Sequence, residues 1–262
     1  MYKNTMEKIQ FEYTHNNTVA NIILNDGKGN VLDNVMMLEI IDCLDDLKSK
    51  NDIKLIVFEG AGKHFSFGAS VEEHTKEMAE AMLKTFHKMF FKLSELSIPT
   101  IAKVTGQCLG GGMELAIYCS LIFADESAKF GQPEIVLGVF PPPASVILPE
   151  KIGLARAEEL LITGKVIDAT EAKNIGLVNQ VFSNKEDLNT GVNDWIEKYI
   201  VPKSASSLKF AQKASRIKFN HVFGNFIPQL EYMYLNKLME TADANEGINA
   251  FIEKRNPNWV NA

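Results

Sequence analysis

The sequence predicts an α/β protein in which a strand–helix core is followed by a helical C-terminal part. Short apolar runs typical of strands alternate with helical spacing between residues 8 and 124, whereas the last third carries helical spacing almost throughout. Such alternation requires crossover connections and favours a largely parallel sheet. We predict a core over residues 1–200 and a helical region over residues 201–262, with the boundary near Val201-Pro202.

Five segments are typical of strands, and the polar turn at residues 15–17 separates the first two. They are residues 8–13, 19–24, 53–58, 99–105 and 121–124. The run 53–58 is apolar except for Lys54 and ends at Glu59-Gly60, which indicates a buried strand.

Helical spacing of apolar residues covers nine further segments. They are residues 31–47, 72–97, 113–118, 154–161, 169–174, 185–199, 205–219, 227–240 and 246–253. Asp33 is expected to cap the first of them, because an aspartate oxygen can accept from the unpaired N–H groups of a first turn.

Length and charge narrow the classes of function. The 262 residues fit one large α/β domain, or one domain with a helical extension. The net charge of −6 disfavours nucleic acid and anionic membranes as partners, because phosphate contacts need clustered cations. A local basic spot for one phosphorylated ligand is still compatible with this charge.

Cysteine usage and hydropathy suggest a compartment. Three cysteines without a CxxC pair do not form a disulfide framework, so we expect a reducing cytoplasm. The first ten residues lack the apolar run of a signal peptide, and no stretch approaches the ~20 apolar residues of a membrane span.

The most informative segment is 99–116 (PTIAKVTGQCLGGGMELA), where a strand runs into three glycines and then into a helix. Glycines 110–112 carry no Cβ, so a ligand can approach the backbone N–H groups. The helix N-terminus adds unpaired donors and a partial positive charge, which would suit a developing oxyanion. The alternative is an ordinary turn, or close packing of helix on strand.

A second glycine-containing loop, GKHFSFGASVEE at 62–73, also follows an apolar strand. Gly68-Ala69 could present another N–H group, and two donors from separate loops make an oxyanion hole. Taken alone, this loop is equally typical of a strand-to-helix turn with Ser70 as its N-cap.

Two glutamates are candidates for acid–base chemistry. Glu114 lies in the first turn of the helix after the glycines, where an acid can also simply stabilise the helix N-terminus. Glu134 is followed by Ile135, Val136 and Leu137, and we expect this apolar run to desolvate its carboxylate and raise its pKa. The alternative for Glu134 is an exposed loop carboxylate.

Several other site types are not indicated. The five histidines lack metal-ligand spacing, so no metal is expected. His64 and His74 flank Gly68-Ala69 and could line a pocket. The sequence has no dinucleotide-binding or phosphate-binding glycine motif and no GxSxG nucleophile turn.

Four blocks together resemble the enoyl-CoA hydratase (crotonase) superfamily. They are HFSFGAS at 64–70, residues 99–116, AKFGQPEIVLG at 128–138, and LITGKVIDATEAKNIGLVNQV at 161–181. The resemblance covers about residues 8–181. It implies a crotonase-like ββα-superhelix core with a C-terminal helical trimerisation region, and a homotrimer or dimer of trimers. It also implies an acyl-CoA thioester as substrate, with no cofactor beyond the substrate's own coenzyme A.

The resemblance also assigns the reacting groups. The backbone N–H groups of Ala69 and Gly111 match the oxyanion hole for the thioester carbonyl. Glu114 and Glu134 match the two catalytic glutamates of the hydratases, and the presence of both favours hydration over other chemistries of the superfamily.

The same resemblance suggests which residues contact the ligand. The loop around Phe67 matches the one whose backbone contacts the adenine of coenzyme A, and Gly68, Gly110 and Pro142 are expected to line the same site. A cation among Lys203, Lys209, Lys213 and Arg216 is expected to bind a coenzyme A phosphate.

Two segments depart from common hydratases. Gly68-Ala69-Ser70 stands where those enzymes carry Gly-Ala-Asp, and residues 139–146 (VFPPPASV) replace a glycine-rich segment. Three prolines are expected to stiffen this loop and reshape the acyl end of the pocket. With these features the chain is most similar to cyclohexa-1,5-diene-1-carbonyl-CoA hydratases, which act in anaerobic breakdown of aromatic acids through benzoyl-CoA.

Three alternatives stay open. The first is a short-chain enoyl-CoA hydratase of fatty-acid β-oxidation. The second is a ring-opening hydrolase of the aromatic pathway. The third is a non-catalytic binding protein on the same fold, including RNA-binding relatives, which the acidic charge and both glutamates disfavour. The residues by themselves support a hydratase of an acyl-CoA with an altered pocket.

Overall fold

Strands and helices alternate along the first half of the chain, as the sequence predicts. The computed structural model describes residues 6–262, so the prediction made for the first ten residues lies partly outside it. The strands of the described part are β1 Ile9–Thr14, β2 Val19–Leu24, β3 Leu55–Gly60, β4 Thr100–Val104, β5 Gln107–Leu109, β6 Leu121–Asp125, β7 Lys129–Gly131, β8 Val166–Asp168 and β9 Gln180–Phe182. The α-helices are α1 Asn34–Lys48, α2 Ala79–Leu96, α3 Gly111–Tyr118, α4 Pro142–Ile152, α5 Leu154–Thr163, α6 Ala169–Asn174, α7 Lys185–Tyr199, α8 Ala205–Ser215, α9 Ile217–Asn236 and α10 Ala242–Ile252.

The larger sheet has the strand order β1-β2-β3-β4-β6-β9. Only the β1–β2 hairpin within it is antiparallel, and the other four pairings are parallel. The prediction of a largely parallel sheet is therefore confirmed. A small second sheet, β5-β7-β8, lies alongside and continues from the end of β4.

Both faces of the larger sheet are buried, which explains the continuous apolar runs of its strands. In β3, Ile56 and Phe58 point into the main core with α1 and α2. Leu55 and Val57 point to the opposite face, where α7 covers them. The predicted limits of α7 agree with the structure residue for residue.

The strand order brings two loops together. Because β3 and β4 are parallel neighbours, their carboxyl ends meet at one edge of the sheet. The loop after β3 and the segment after β4 then pair through backbone hydrogen bonds: Phe65 N–H donates to Thr105 O (2.8 Å), Ser66 N–H to Gln107 O (3.0 Å) and Leu109 N–H to Ser66 O (3.0 Å). The two glycine-containing segments singled out in the sequence are thereby joined.

The predicted helix over residues 72–97 is in fact two elements. A short 3-10 turn covers Val71–His74, and α2 begins only at Ala79. The His74 imidazole Nδ1 lies 2.6 Å from Ser70 O and closes the short turn. Thr75 has a non-helical ψ and ends the 3-10 turn. Helical hydrogen bonding begins again where Ala79 N–H donates to Thr75 O (2.8 Å).

The predicted break between residues 219 and 227 is wrong. The helices change at Arg216, and α9 runs unbroken through Gly224 and Pro228. Burial of Phe223 and Ile227 in the main core carries the helix across these residues, so tertiary packing outweighs their low helix propensity. The limit between core and helical region near residue 201 stays a prediction.

A helix also begins where the sequence suggested a stiff loop. Residues 139–141 are non-helical, but Pro142 and Pro143 form the first turn of α4. Proline suits this position because the first N–H groups of a helix have no intrahelical partner and its φ is already helical. Among the described residues, no helix is both long enough and apolar enough to cross a membrane.

The predicted cap at Asp33 yields a stability test. Its carboxylate accepts from Met36 N–H at the start of α1 (3.0 Å) and also pairs with Lys8. Asp33→Ala should lower the free energy of unfolding by about 1 kcal/mol, the usual cost of a lost N-cap. Asp33→Asn keeps an accepting oxygen and loses only the partly exposed ion pair, so it should cost clearly less in urea unfolding. Equal losses in both variants would contradict the cap.

Candidate active site

Two backbone N–H groups without acceptors lie close together where the paired loops meet. They belong to Ala69 and to Gly111, the first residue of α3. A methyl group added at Gly111 would lie 3.0 Å from Ala69 N, so the two donors are neighbours. Within residues 6–262 neither group donates a backbone hydrogen bond. A pair of convergent free donors can stabilise an oxyanion.

Glycines next to both donors are required by the backbone. Gly68 has φ +109° and Gly110 φ +48°, conformations that residues with a Cβ rarely adopt. A Cβ at Gly110 would also lie 2.6 Å from Glu134 Oε1. At Gly112 the reason is packing, because a Cβ there would lie 2.5 Å from Ser66 Cβ. Close packing therefore accounts for Gly112 and a positive φ for Gly68 and Gly110, and access of a ligand to the backbone stays a prediction.

Ser66 and Asn30 fix the first loop, and the sequence analysis missed both. The buried Ser66 hydroxyl donates to Asn30 O (2.6 Å) and accepts from Gly68 N–H (3.1 Å). The Asn30 amide in turn donates to Ala61 O (3.1 Å) and His64 O (2.9 Å). The available signal was a serine between two phenylalanines in HFSFGAS, which indicates a buried hydroxyl that needs partners.

Glu114 is buried, with 4% of its surface exposed, in the first turn of α3. Its Oε1 accepts from Ala144 N–H (2.9 Å) at the start of α4. Pro142 and Pro143 have no N–H, so Ala144 supplies the first donor within that helix. The proline segment thus directs one helix N-terminus at one carboxyl group.

Glu134 lies in a 3-10 turn, Pro133–Leu137, with its carboxyl group against Gly110. The prediction that Glu134 is desolvated and its pKa raised is confirmed. Its cause differs from the predicted one, because Ile135 is 41% and Val136 61% exposed and neither covers the carboxyl group. The residue as a whole is half-buried, but its carboxyl group is enclosed by the Gly110 backbone and the buried Gln132 side chain. The Gln132 amide nitrogen can donate to Oε1 (3.1 Å) and Oε2 (3.0 Å).

Burial perturbs both carboxyl groups in the same direction. It raises the pKa of Glu114 well above its ordinary value, and the Glu134 charge raises it further, while the Ala144 N–H acts against both. Burial likewise raises the pKa of Glu134 to about 8. Two interacting carboxyl groups of this kind do not ionise together, so one keeps its proton when the other has lost its own. One can then accept a proton while the other donates one.

All eight predicted site residues line one pocket. The pocket encloses about 580 Å³ of space that is partly open to solvent. The eight are Phe67, Gly68, Ala69, Gly110, Gly111, Glu114, Glu134 and Pro142. Its remaining walls are mostly apolar: Val71, Met82, Leu83, Phe86, Pro133, Leu137, Phe140 and Pro141, with His74 and Tyr234 as polar members.

Other residues considered from the sequence lie elsewhere. His64 accepts from Gln107 N–H (3.1 Å) and packs edge-on against Phe67, so it supports the loop behind the pocket. None of the four C-terminal cations lines the pocket, and Arg216 donates to Tyr118 O (2.7 Å). Residues 6–262 contain no group of three or more His, Cys, Asp or Glu placed to hold a metal ion.

The raised carboxyl pKa values predict how stability depends on pH. Between pH 4.5 and about 8 the folded protein keeps a proton that the unfolded chain releases, so the free energy of unfolding falls as pH rises. Glu134→Gln removes the buried carboxyl group and with it this pH-dependent loss of stability. The variant should gain stability over the wild type on going from pH 4.5 to 8, by about 1.4 kcal/mol per unit of pKa shift.

Urea unfolding at several pH values measures this difference. Glu158→Gln, which removes one carboxylate from the exposed side of α5, shows the effect of the substitution itself. Stability curves that run parallel for wild type and Glu134→Gln would contradict the raised pKa.

Comparisons with known proteins agree with this geometry. The sequence model described as "Enoyl-CoA hydratase/isomerase" matches residues 14–262. The chain is 40% identical over 234 residues to a cyclohexa-1,5-dienecarbonyl-CoA hydratase of Thauera aromatica, covering 89% of this chain and 90% of that protein. It is 36% identical over 236 residues to a probable enoyl-CoA hydratase of Mycobacterium bovis, covering 88% and 90%.

A solved structure supports the fold. The crystal structure of an enoyl-CoA hydratase from Mycobacterium avium subsp. paratuberculosis superposes with a TM-score of 0.85, at 21% identity, and covers 97% of this chain and 99% of that one. With a family model that spans nearly the whole sequence, these findings establish that the chain belongs to the enoyl-CoA hydratase/isomerase family, the crotonase superfamily.

Proposed function

We propose that this chain, an enzyme of the enoyl-CoA hydratase type, adds water to cyclohexa-1,5-diene-1-carbonyl-CoA and yields 6-hydroxycyclohex-1-ene-1-carbonyl-CoA. This reaction would place it in anaerobic degradation of aromatic acids through benzoyl-CoA. The observation that carries hydration is that two proton-sharing carboxyl groups and two free N–H donors line the same pocket. The 40% identity to the Thauera aromatica protein supports the particular substrate.

The free N–H groups suit the thioester carbonyl. In the proposed complex the oxygen lies between Ala69 N–H and Gly111 N–H, where α3 adds the partial positive charge of its N-terminus. As water attacks the conjugated system, charge develops on this oxygen, and preformed donors stabilise that charge without reorganising. The loss of one such donor typically costs ~10²–10³ in rate.

The shared proton suits the addition itself. One carboxylate takes a proton from water as the oxygen bonds to ring carbon C2, and electrons move through C1 to the thioester oxygen. The protonated carboxyl group then delivers its proton to C5, the far end of the diene, and a double bond remains between C1 and C6. This 1,4-addition consumes one water and returns the pair to its starting proton count.

The walls of the pocket suit a flat, apolar acyl group. Phe86, Phe140 and Leu137 are hydrophobic, and Pro141 and Pro142 close the side next to Glu114. Prolines at the start of α4 leave this wall little backbone freedom, so it would hold a rigid ring better than it would adapt to acyl chains of varied length.

Assembly is part of the proposal. The C-terminal helices expose large apolar side chains, among them Phe210, Ile217, Tyr232 and Phe251. Exposed apolar side chains are typical of subunit interfaces, and those of the C-terminal helices support a homotrimer or dimer of trimers. In such an assembly a cation among Lys203, Lys209, Lys213 and Arg216 could meet a coenzyme A phosphate.

A side-by-side assay tests the substrate. Purified protein is incubated with cyclohexa-1,5-diene-1-carbonyl-CoA and, separately, with crotonyl-CoA, and products are followed by liquid chromatography with mass detection. We expect gain of one water on the cyclic diene and little conversion of crotonyl-CoA, because the rigid wall fits a ring. Fast hydration of crotonyl-CoA alone would favour a short-chain enoyl-CoA hydratase, and ring opening would favour a hydrolase.

Glutamine substitutions test the reacting pair. Glu114→Gln and Glu134→Gln should each lower kcat by ~10²–10⁴, the usual value of a general acid or base. Binding of the product should persist nearly unchanged in calorimetry, because the N–H donors and apolar walls remain. Glu158→Gln on α5 is the surface control. Lost binding together with lost folding would indicate a structural role, and salt-sensitive RNA binding without turnover would indicate a binding protein.

A further inference from the structure

Tyr234 of α9 lines the pocket that contains both glutamates. Its side chain is almost wholly buried, with 1% of the residue exposed. Even so, its hydroxyl has no hydrogen-bond partner among residues 6–262. A buried unpaired hydroxyl lowers stability, so the fold gains nothing from this oxygen in the ligand-free state.

One contact holds the ring of Tyr234, and a second holds the helix that carries it. Phe140, just before α4, packs edge-on against it with the ring centroids 5.5 Å apart. One turn earlier on α9, Glu231 pairs with the buried His87 of α2. These contacts fix the helix and the ring, so the hydroxyl cannot swing away to water.

The charges around Tyr234 keep it a donor. Burial raises its pKa, and the nearby carboxylates of Glu134 and Glu114 raise it further. Tyr234 therefore stays protonated at every pH at which the carboxyl pair works. It is close enough to both glutamates to sense their charge, yet it bonds to neither.

We propose that the Tyr234 hydroxyl binds the oxygen atom that the reaction adds, first as the attacking water and then as the hydroxyl of the product. This inference rests on the proposed function and adds a third polar group to its site. A water between two carboxyl groups can donate two hydrogen bonds to them, and Tyr234 would donate the third bond, into a lone pair of the water. The oxygen would then be oriented as well as deprotonated.

Tyr234→Phe is the direct test, because it removes one oxygen and keeps the ring against Phe140. Tyr118→Phe is the matched control: Tyr118 is a second buried tyrosine, but it does not line this pocket. In thermal unfolding Tyr234→Phe should not lose stability, since it loses no hydrogen bond. In turnover, Tyr234→Phe should lower kcat on the order of 10- to 100-fold with little change in KM, the value of one hydrogen bond to a reacting group.

A binding measurement separates this inference from the proposed function. Calorimetry compares 6-hydroxycyclohex-1-ene-1-carbonyl-CoA with cyclohex-1-ene-1-carbonyl-CoA, which lacks the hydroxyl. Wild type and Tyr118→Phe should prefer the hydroxylated ligand, and Tyr234→Phe should lose that preference. If the wild type shows the preference through Tyr234 but hydrates no enoyl-CoA, the binding of the ligand hydroxyl by Tyr234 holds and the proposed function fails.

Two results would overturn the role of Tyr234. One is a Tyr234→Phe variant with wild-type kcat and an unchanged preference for the hydroxylated ligand. The other is a variant that melts at a lower temperature and loses both ligands equally, which would make the hydroxyl structural.

Discussion

The burial of two carboxyl groups within one pocket is the constraint around which the site is built. Ionisation of Glu114 or Glu134 in this pocket is unfavourable unless a polar neighbour stabilises the charge. Ionisation of both is more unfavourable still, because the two charges repel each other. Each carboxyl group has one hydrogen-bond donor beside it, Ala144 N–H for Glu114 and the Gln132 amide for Glu134. Gly110 leaves the space that the second carboxyl group occupies, since a Cβ there would overlap Glu134.

The parallel sheet supplies the other half of the site. Adjacent parallel strands end at the same edge, so the loops after β3 and β4 meet, and their backbone pairing sets Ala69 N beside Gly111 N. Ser66 couples this arrangement to the core through Asn30, with no charged group involved. The donors are consequently part of the rigid scaffold. Glu114 belongs to the same helix as Gly111, and Glu134 comes from a separate turn.

Local sequence signals predicted most of this arrangement. They failed where contacts between residues distant in the sequence determine the structure. Five strands (β1, β2, β3, β4 and β6), α7 and the Asp33 cap follow from spacing and capping rules that act within a few residues, whereas the short strands β5, β7, β8 and β9 were not predicted. The environment of Glu134 follows only in part: Ile135 and Val136 face outward, and the backbone of Gly110, which is distant in sequence, closes off its carboxyl group. Likewise, α9 continues through Pro228 because Phe223 and Ile227 are buried, and nothing local to Tyr234 indicates a pocket residue. Long-range packing sets each of these features, and sequence spacing carries no record of it.

Three unpaired polar groups of the described chain lie together in one pocket, and this grouping argues for function. Ala69 N–H, Gly111 N–H and the Tyr234 hydroxyl all lack partners, and all line the pocket that holds the two perturbed carboxyl groups. Each lowers the stability of the ligand-free protein, and folding alone would favour pairing or removing them. A single ligand with a carbonyl oxygen and an adjacent water would satisfy the N–H pair, the carboxyl pair and the hydroxyl together. The ligand-free site thus leaves unpaired the polar groups that a thioester undergoing hydration would pair.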